Sequence, residues 1–558
     1  MNEQIIPPFD PSVRPTTDDR KDWQNYWQQK GRPWRTEPEI STDRQDFLAN
    51  RLTIKPDIEK GVYPFKGIKL ERADVEWLLD NHENGRGPID WSDKSQRSRV
   101  GLDIREADLS QANLSSLPLA CLCGGLDGDE WSTLSEEDKL AVVLMNEVNL
   151  TEAHLEGALL RGAQLENASI FRAYLENADL VDAQLSKASL SWSHLEGARL
   201  SGAHLEEAYF SGAFLNGASL YQAHLEEAIL NGAHLESADL SEAFLEGADL
   251  SWAKLKNANL SRAQLQGANL RWADLEGVNF SRAVLNDQKG IGPFCADAQW
   301  GTTNLALIVW TSIAVLGDEY RARRKYEYFS TQKKSISKRL EEYEIAIRAN
   351  RQVSVALQTQ GLNEHASRFA YRAQVLQQEL IWMQLGCGNW IQKMIEMIQG
   401  TAQWKGLMRL SWWRNLRLLK WKLERSSIWK WWFGSQKWLY KRFRRLRNQM
   451  RKLAAFLFSF FFGLLAGYGY RPGRTIIWYL TVILGFTIID TQYGHLRFFP
   501  DALVFSIMSF HGRGFSPSLN DQLSLHNALV VSAALEAIVG LIIEFSFIAT
   551  FTQRFFKG

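Results

Sequence analysis

From residue 146 to residue 285 the apolar positions recur with a period of five. Leu fills every fifth position from Leu150 to Leu285, replaced only by Ile170, Phe210 and Phe280. Two residues before each stands Ala, replaced only by Val148, Ser193 and Val278. That makes 28 consecutive units without a slip of register. A period of five suits neither an α-helix nor a β-strand. One large and one small apolar residue in every five require a backbone that turns a corner once per unit. Four units per turn predict a square prism, with Leu filling the axis and Ala packed where only a methyl fits. At the ~4.8 Å spacing of adjacent strands, seven such coils make a rod roughly 34 Å long.

Two further units, Ala107-Asp-Leu109 and Ala112-Asn-Leu114, precede a predicted insertion over 115–145 that reads as a loop plus a short helix. Upstream, residues 1–100 read as an N-terminal cap region, with Ala73–Leu79 helical. The opening is polar and Pro-rich, carries no signal-peptide core, and places the N-terminus in the cytoplasm. The repeat domain is assigned to 101–290. Residues 300–400 read as helical. Leu305–Leu316 is apolar but too short to span a membrane, and 318–342 is a charged helical stretch. Helices over 343–360 and 362–385, hinged at Gly361, carry small Ala residues at helical spacing. They resemble one tetratricopeptide-type hairpin.

The apolar pattern changes again near the end. Residues 453–467 are rich in Phe and short, which suits an interfacial helix. An outer helix is predicted over about 473–491, a short helix over 500–510 and an inner helix over 527–552. The short helix opens with Pro500-Asp501, suited to a helix N-terminus. It leads into Gly512-x-Gly514. A helix, a short re-entrant helix, Gly-x-Gly, an exit loop and a second helix form the pattern of a pore domain. Non-helical backbone at membrane depth is tolerated only where it lines a cavity. Glycines there let carbonyls face an axis and replace an ion's hydration shell.

Composition refines this picture. The 558 residues carry a net charge of +1 and a mean hydropathy of −0.26, which argue against a basic nucleic-acid binder and a fully polytopic chain. Four Cys exclude a disulfide scaffold and a zinc tetrad. The near-zero charge is a cancellation. Residues 404–452 hold 16 Lys and Arg against the single Glu424, with eight of the 22 Trp. A basic, Trp-rich segment suits the membrane interface and anionic lipid. The competing reading, a nucleic-acid patch, is disfavoured because the segment runs into the apolar end of the chain. Trp412, Trp413, Arg442, Arg444, Arg445, Arg471 and Arg474 are the candidate interface residues. Flanking Arg and Lys place both ends of the helix pair in the cytoplasm.

The units A-(D/N)-L-x-x resemble the pentapeptide-repeat family, which implies a right-handed quadrilateral β-helix. Residues 471–554 resemble the two-transmembrane, pore-loop domain of bacterial potassium channels. Phe510-His-Gly-Arg-Gly-Phe515 stands where that family has T-V-G-Y-G-D. Gly512 and Gly514 match, and Gly540 falls at the hinge glycine of the inner helix. Phe510, Arg513 and Phe515 depart from the pattern, so potassium selectivity does not carry over. The arrangement is similar to bacterial proteins that join pentapeptide repeats to such a domain and carry S-F-H-G-R-G-F. The fold class expected is therefore multidomain: a β-helix, an α-helical linker region and a C-terminal α-helical membrane pore domain.

The resemblance implies a filter of Phe510, His511, Gly512, Arg513, Gly514 and Phe515. Arg513 either faces the pore and repels cations, or turns into the surrounding cuff and pairs with Glu536, since a lone buried charge is costly. Glu544 shares a helix face with Gly540. It forms either a carboxylate ring in a tetramer or a helix–helix hydrogen bond. His511 either titrates as a gate or positions backbone.

On the rod, Glu residues fall on two opposite faces, and His154, His194 and His234 share one. Metal binding and DNA mimicry are weighed there against a solvated or protein-docking face, which is preferred. No catalytic constellation, metal site or cofactor is expected. The sequence thus predicts a tetrameric, multi-pass ion channel of a bacterial plasma membrane. Its expected partners are inorganic ions, anionic lipid and a cytoplasmic protein on the β-helix, with no nucleic acid. The alternative is a non-conducting, membrane-anchored scaffold.

Overall fold

The five-residue period builds a four-sided β-helix. The structure is a computed structural model. It describes residues 14–16, 19–57, 60–128, 130, 142–327, 332–385, 472–493, 499–511 and 528–555. The chain divides into two units, Met1–Arg321 and Ala322–Gly558.

In the first unit, parallel bridges join residues 20 apart, as in Tyr174↔His194↔Phe214↔His234. One turn of the coil is therefore four pentapeptides. Each unit bonds to the coil on either side: His154 N donates to Leu117 O at 2.9 Å and Leu155 N to Tyr174 O at 2.7 Å. Each corner closes on itself, as where Ala153 N donates to Leu150 O at 3.0 Å. The residue before that donor is left-handed, for example Glu152 at φ 58°, as a type II turn requires. From Leu150 to Phe280 every fifth-position residue is at most 1% exposed. The Ala and Leu stripes thus form one continuous core.

The insertion is shorter than the sequence predicts. Leu119 N donates to His154 O and Leu122 N to Leu119 O, and Pro118 and Cys123 bridge to His154 and Leu159. Residues 115–124 are therefore coil, as are 142–145. Bridge spacing rises from 20 at Asp103↔Cys123 to 36 at Asp108↔Leu144, so 36 − 20 = 16 residues are extra. Gly124 stands where the pattern calls for Leu. A Cβ there would meet Val143 Cγ1 at 2.7 Å and Leu160 Cδ2 at 2.9 Å, side chains that fill the position instead.

The rod also continues past 290. Asn269↔Phe294, Asp274↔Gln299 and Ile291↔Val315 are bridges, and Leu305, Trp310, Ile313 and Leu316 are buried. The apolar run 305–316 closes the end of the rod and does not belong with the helical region. The closure is polar as well as apolar. The buried carboxylate of Asp318 accepts from Arg271 Nε at 2.7 Å, Cys295 N at 2.8 Å and Ala296 N at 3.2 Å. It lies at the start of α4 (Gly317–Arg323).

The opposite end is capped by α1 (Arg20–Gln29), α2 (Thr42–Leu52) and α3 (Arg72–Gly85). Gly67 N and Leu70 N extend the ladder onto Glu106 O and Asp108 O. Arg72 donates to the carbonyls of Asn113 and Ser115 at 3.0 and 2.9 Å, and to the fully buried Glu76 at 2.8 Å. A buried carboxylate needs such donors, and Thr36 N, Thr36 Oγ1 and Glu37 N also donate to it.

In the second unit, α5 (Ile336–Thr359) and α6 (Asn363–Leu385) form an antiparallel hairpin around Gly361, φ 75°. The predicted helical stretch 318–342 is interrupted by an antiparallel bridge, Tyr326↔Lys333. The buried Ala346, Ala349 and Ala373 allow close helix approach, and Tyr343 and Ile347 pack with Leu376 and Leu380. Among the described residues, three more helices follow: α7 (Pro472–Tyr493), α8 (Phe499–Phe510) and α9 (Ala528–Phe555). Among the described residues, no helix is long and apolar enough to cross a membrane.

Candidate functional site

Two places gather polar side chains: the side faces of the rod and the contact between α7, α8 and α9.

On the rod, the 20-residue turn stacks equivalent side chains directly above one another. His154, Tyr174, His194, Phe214 and His234 form one ladder with ring centroids 4.5–5.1 Å apart. His204, His224 and Phe244 form a second. Beside them run rows of Glu. His154 Nδ1 lies 2.9 Å from Glu156 Oε1 and His204 Nδ1 lies 3.0 Å from Glu206 Oε1. Burial raises the carboxyl of Glu176, and the neighbouring Glu156 and Glu196 add to it. Two groups place ligand atoms within 4.8 Å of one another: His204, Glu206 and His224, and Glu176, His194 and Glu196. Among the described residues of the rod, these are the groups whose geometry could hold a metal. A third face exposes large aromatics: Trp192, Trp252 and Trp272 are 53%, 59% and 41% exposed, and the last two stack at 4.8 Å.

In the helical unit, α8 packs on both α7 and α9. Phe510 is buried against Ile483 and Ile543, with Tyr479, Val482, Leu503 and Val539 around them. The Tyr479 ring meets Phe510 edge-on at 4.9 Å. Gly540 is required by this packing. A Cβ on it would overlap the Phe510 carbonyl oxygen and stand 3.0 Å from the Phe510 carbonyl carbon and Cδ1.

The polar side chains of the three helices face one another. Ser506 Oγ donates to Glu536 Oε1, and Ser532 Oγ to Asp490 Oδ1 at 2.8 Å. His511 Nδ1 contacts Glu544 Oε1, and its Nε2 lies 3.1 Å from Tyr479 Oη. Thr487, Asp490, Ser506, Ser509 and Glu536 are all buried. A cleft of about 370 Å³ opens beside His511, lined by Ile476, Tyr479, Ile543, Glu544, Phe547 and Ile548.

The structure therefore brings together Phe510, His511, Gly540 and Glu544. It gives Glu536 to Ser506, a partner that sequence reasoning missed. The only signal for it was a Ser on the predicted short helix, which is too common to single out. Glu544 contacts His511, the residue that follows α8. Arg474 lies in the first turn of α7. Gly512, Arg513, Gly514, Phe515, Trp412, Trp413, Arg442, Arg444, Arg445 and Arg471 lie outside the described residues, as do 404–452 and 453–467.

The four-sided coil of five-residue units defines a class of β-helical repeat proteins. The model of the pentapeptide-repeat family matches residues 149–186, 183–220, 218–257 and 245–282, so this part of the chain is built of pentapeptide repeats. Among solved structures it is similar to HetL, a pentapeptide-repeat protein involved in regulating heterocyst differentiation in the cyanobacterium Nostoc sp. strain PCC 7120. The identity is 28%, over 36% of this chain and 89% of that one, with a TM-score of 0.18. Full-length QnrB1, a plasmid-mediated fluoroquinolone resistance protein, is 16% identical over 42% and 90% of the chains, TM-score 0.20. Rfr23 of the cyanobacterium Cyanothece 51142 is 22% identical over 37% and 91%, TM-score 0.08. No curated protein matches the chain.

Proposed function

We propose that this chain is a pore-loop ion channel of a bacterial plasma membrane, assembled as a tetramer, with the β-helix as its cytoplasmic docking or regulatory element. One observation carries the reading: α7, α8 and α9 bury polar side chains beside a small apolar core and expose large apolar ones. Their buried set includes Asp490, Ser506, Ser509 and Glu536, whereas Ile477, Leu480, Leu484, Leu535, Ile538, Leu541, Phe545 and Ile548 are each 49–64% exposed. Water-soluble helices show the reverse arrangement. An apolar surface of this extent calls for a cover of lipid or protein. Asp490 and Glu536, acidic residues within α7 and α9, are each held by a neighbouring helix, and Glu544 by His511 just past α8. Charged residues within a membrane behave in this way.

The short α8, packed on two longer helices and ending one residue before Gly512-x-Gly514, supports a pore helix leading into a filter. The substitutions at Phe510, Arg513 and Phe515 support a selectivity other than potassium. Inorganic ions are the permeant class, and the basic Trp-rich 404–452 is the candidate contact with anionic lipid.

The test is membrane integration and stoichiometry. The protein is expected to stay in the membrane pellet through an alkaline carbonate wash and to cross-link in native membranes as four copies. Release by carbonate, or a monomer only, would overturn the proposal. The exposed Trp192, Trp252 and Trp272 favour a second reading, a membrane-anchored scaffold that docks a protein on the rod. It predicts the same membrane location but no current.

A further inference from the structure

Five units of the rod carry the sequence His-Leu-Glu, at His154, His194, His204, His224 and His234. The Leu of each is buried, so its His and Glu stand together on an outer face. His154, His194 and His234 are 40 residues apart, and Tyr174 and Phe214 separate their rings. Only His204 and His224 share a face on adjacent coils, as bridge partners. Their imidazoles stack at 4.7 Å, 4° from parallel. His204 Nδ1 lies 3.0 Å from Glu206 Oε1, and His224 Nδ1 lies 3.5 Å from Glu226 Oε1. Both rings thus turn the same nitrogen toward the column of Glu. One ligand atom from each of His204, Glu206 and His224 lies within 4.8 Å of the other two. Ser186 Oγ donates to Glu206 Oε2 at 2.7 Å, which leaves Oε1 toward the imidazoles.

Stacking alone does not call for histidine at these positions. Phe214 and Phe244 fill equivalent places, and Phe244 stacks on His224 at 4.6 Å. What the pair adds is two imidazole nitrogens beside a carboxylate, on coils that also carry Glu207, Glu226 and Glu227. Two nitrogens and a carboxylate oxygen suit Zn²⁺ and its first-row neighbours, whereas Mg²⁺ and Ca²⁺ want oxygen alone. We propose that His204, Glu206 and His224 bind a divalent transition-metal ion, with water completing its coordination. Ligand atoms at ~2.0–2.1 Å from a tetrahedral ion stand about 3.4 Å apart. His204 and Glu206 are already close enough, and His224 swings in. The imidazoles leave parallel to aim at one ion. The side chains of His204, Glu206 and His224 are 40%, 34% and 33% exposed, which gives them room to turn. The other group, Glu176, His194 and Glu196, offers one nitrogen and makes the weaker site. The proposed site lies wholly in the first unit and does not depend on the channel reading.

Isothermal titration calorimetry of the untagged full chain tests the site, with zinc chloride and magnesium chloride as titrants. Saturable Zn²⁺ binding is expected, with Mg²⁺ silent. His224→Phe, which continues the ring ladder from Phe244, is expected to weaken Zn²⁺ at least tenfold. Glu206→Gln, which keeps an acceptor for Ser186, is expected to weaken it at least threefold and serves where His224→Phe fails to fold. His194→Phe, in the other group, is expected to leave the tighter affinity within twofold. Electron paramagnetic resonance of the chain loaded with one Cu²⁺ is expected to show two nitrogen ligands, and one in His224→Phe. No saturable Zn²⁺ binding up to 1 mM, Mg²⁺ binding as tightly as Zn²⁺, or a Cu²⁺ signal without two nitrogens would each overturn the proposal. So would unchanged affinity in a folded His224→Phe or Glu206→Gln protein, or a larger loss in His194→Phe than in His224→Phe.

Discussion

Gly540→Ala is the most informative single change in the helical unit. The added Cβ would overlap the Phe510 carbonyl oxygen, a backbone atom that cannot swing away as a side chain can. An ordinary carbon–oxygen contact needs ~3.3 Å, so α8 and α9 must part by about 1 Å. A gap of that size forfeits roughly a quarter to a half of each van der Waals contact along it. The contacts at stake are those of Phe510 with Ile483, Ile543 and Val539. The same movement pulls Ser506 from the buried carboxylate of Glu536 and His511 from Glu544. Overpacking together with the stranded carboxylate costs about 2–5 kcal/mol. The control is Gly485→Ala in α7, where a Cβ meets nothing within 4 Å; it should stabilise by about 0.5–1 kcal/mol through lost glycine flexibility. The assay is hydrogen exchange of the lipid-reconstituted protein, resolved over 499–511 and 528–555. Gly540→Ala should speed exchange there by about 30-fold or more, the equivalent of about 2 kcal/mol, while Gly485→Ala slows it or leaves it unchanged. Exchange within twofold of wild type in Gly540→Ala, or equal disruption by Gly485→Ala, would refute the close approach of α8 and α9.

Arg271→Met leaves the buried Asp318 without its cation and should cost about 3–5 kcal/mol, read as loss of exchange protection over 291–316. His154 should contribute more stability to the rod at pH 6 than at pH 8. The hydrogen bond to Glu156 raises His154 above its ordinary 6.5; a raised value gives stability that is complete below 6.5 and lost as pH rises through the folded value. Burial raises Glu176 and Glu246 with the same sign, in the window from 4.5 upward. His154→Gln should therefore shrink the rise in melting temperature between pH 8 and pH 6, and an undiminished rise would contradict the assignment. Burial, with Asp103 nearby, pushes the Cys123 thiol up to about 12. Residue-resolved alkylation at pH 8 should leave Cys123 unmodified in the native protein and label it in denaturant.

The rod was legible because its period cannot be confused with that of a helix or a strand, and because one residue type fills each inward position. The reading failed where that code is broken. Leu117 and Leu122 occupy the Ala position and Gly124 the Leu position, so 115–124 looked like insertion. What rescues this coil is Val143 and Leu160 filling the space over Gly124, a contact across 19 and 36 residues that periodicity does not reveal. The closing coils over 291–316 use Trp300, Trp310 and Ile313 in place of the repeat, and an irregular apolar run reads equally as helix. In the helical unit, the three helices could be read from local pattern, whereas Gly540 was singled out by resemblance alone. The pairings could not: Glu536 with Ser506 and Glu544 with His511 depend on how three helices cross.

The account's central claim is conduction. The direct measurement is single-channel recording of the purified full-length protein in planar bilayers under a KCl gradient, with steps of voltage, pH and tension. The account predicts discrete unitary currents with a reversal potential displaced from zero, absent in Gly512→Ala. Silence under every step, from protein shown to be inserted and tetrameric, would contradict it and leave the scaffold.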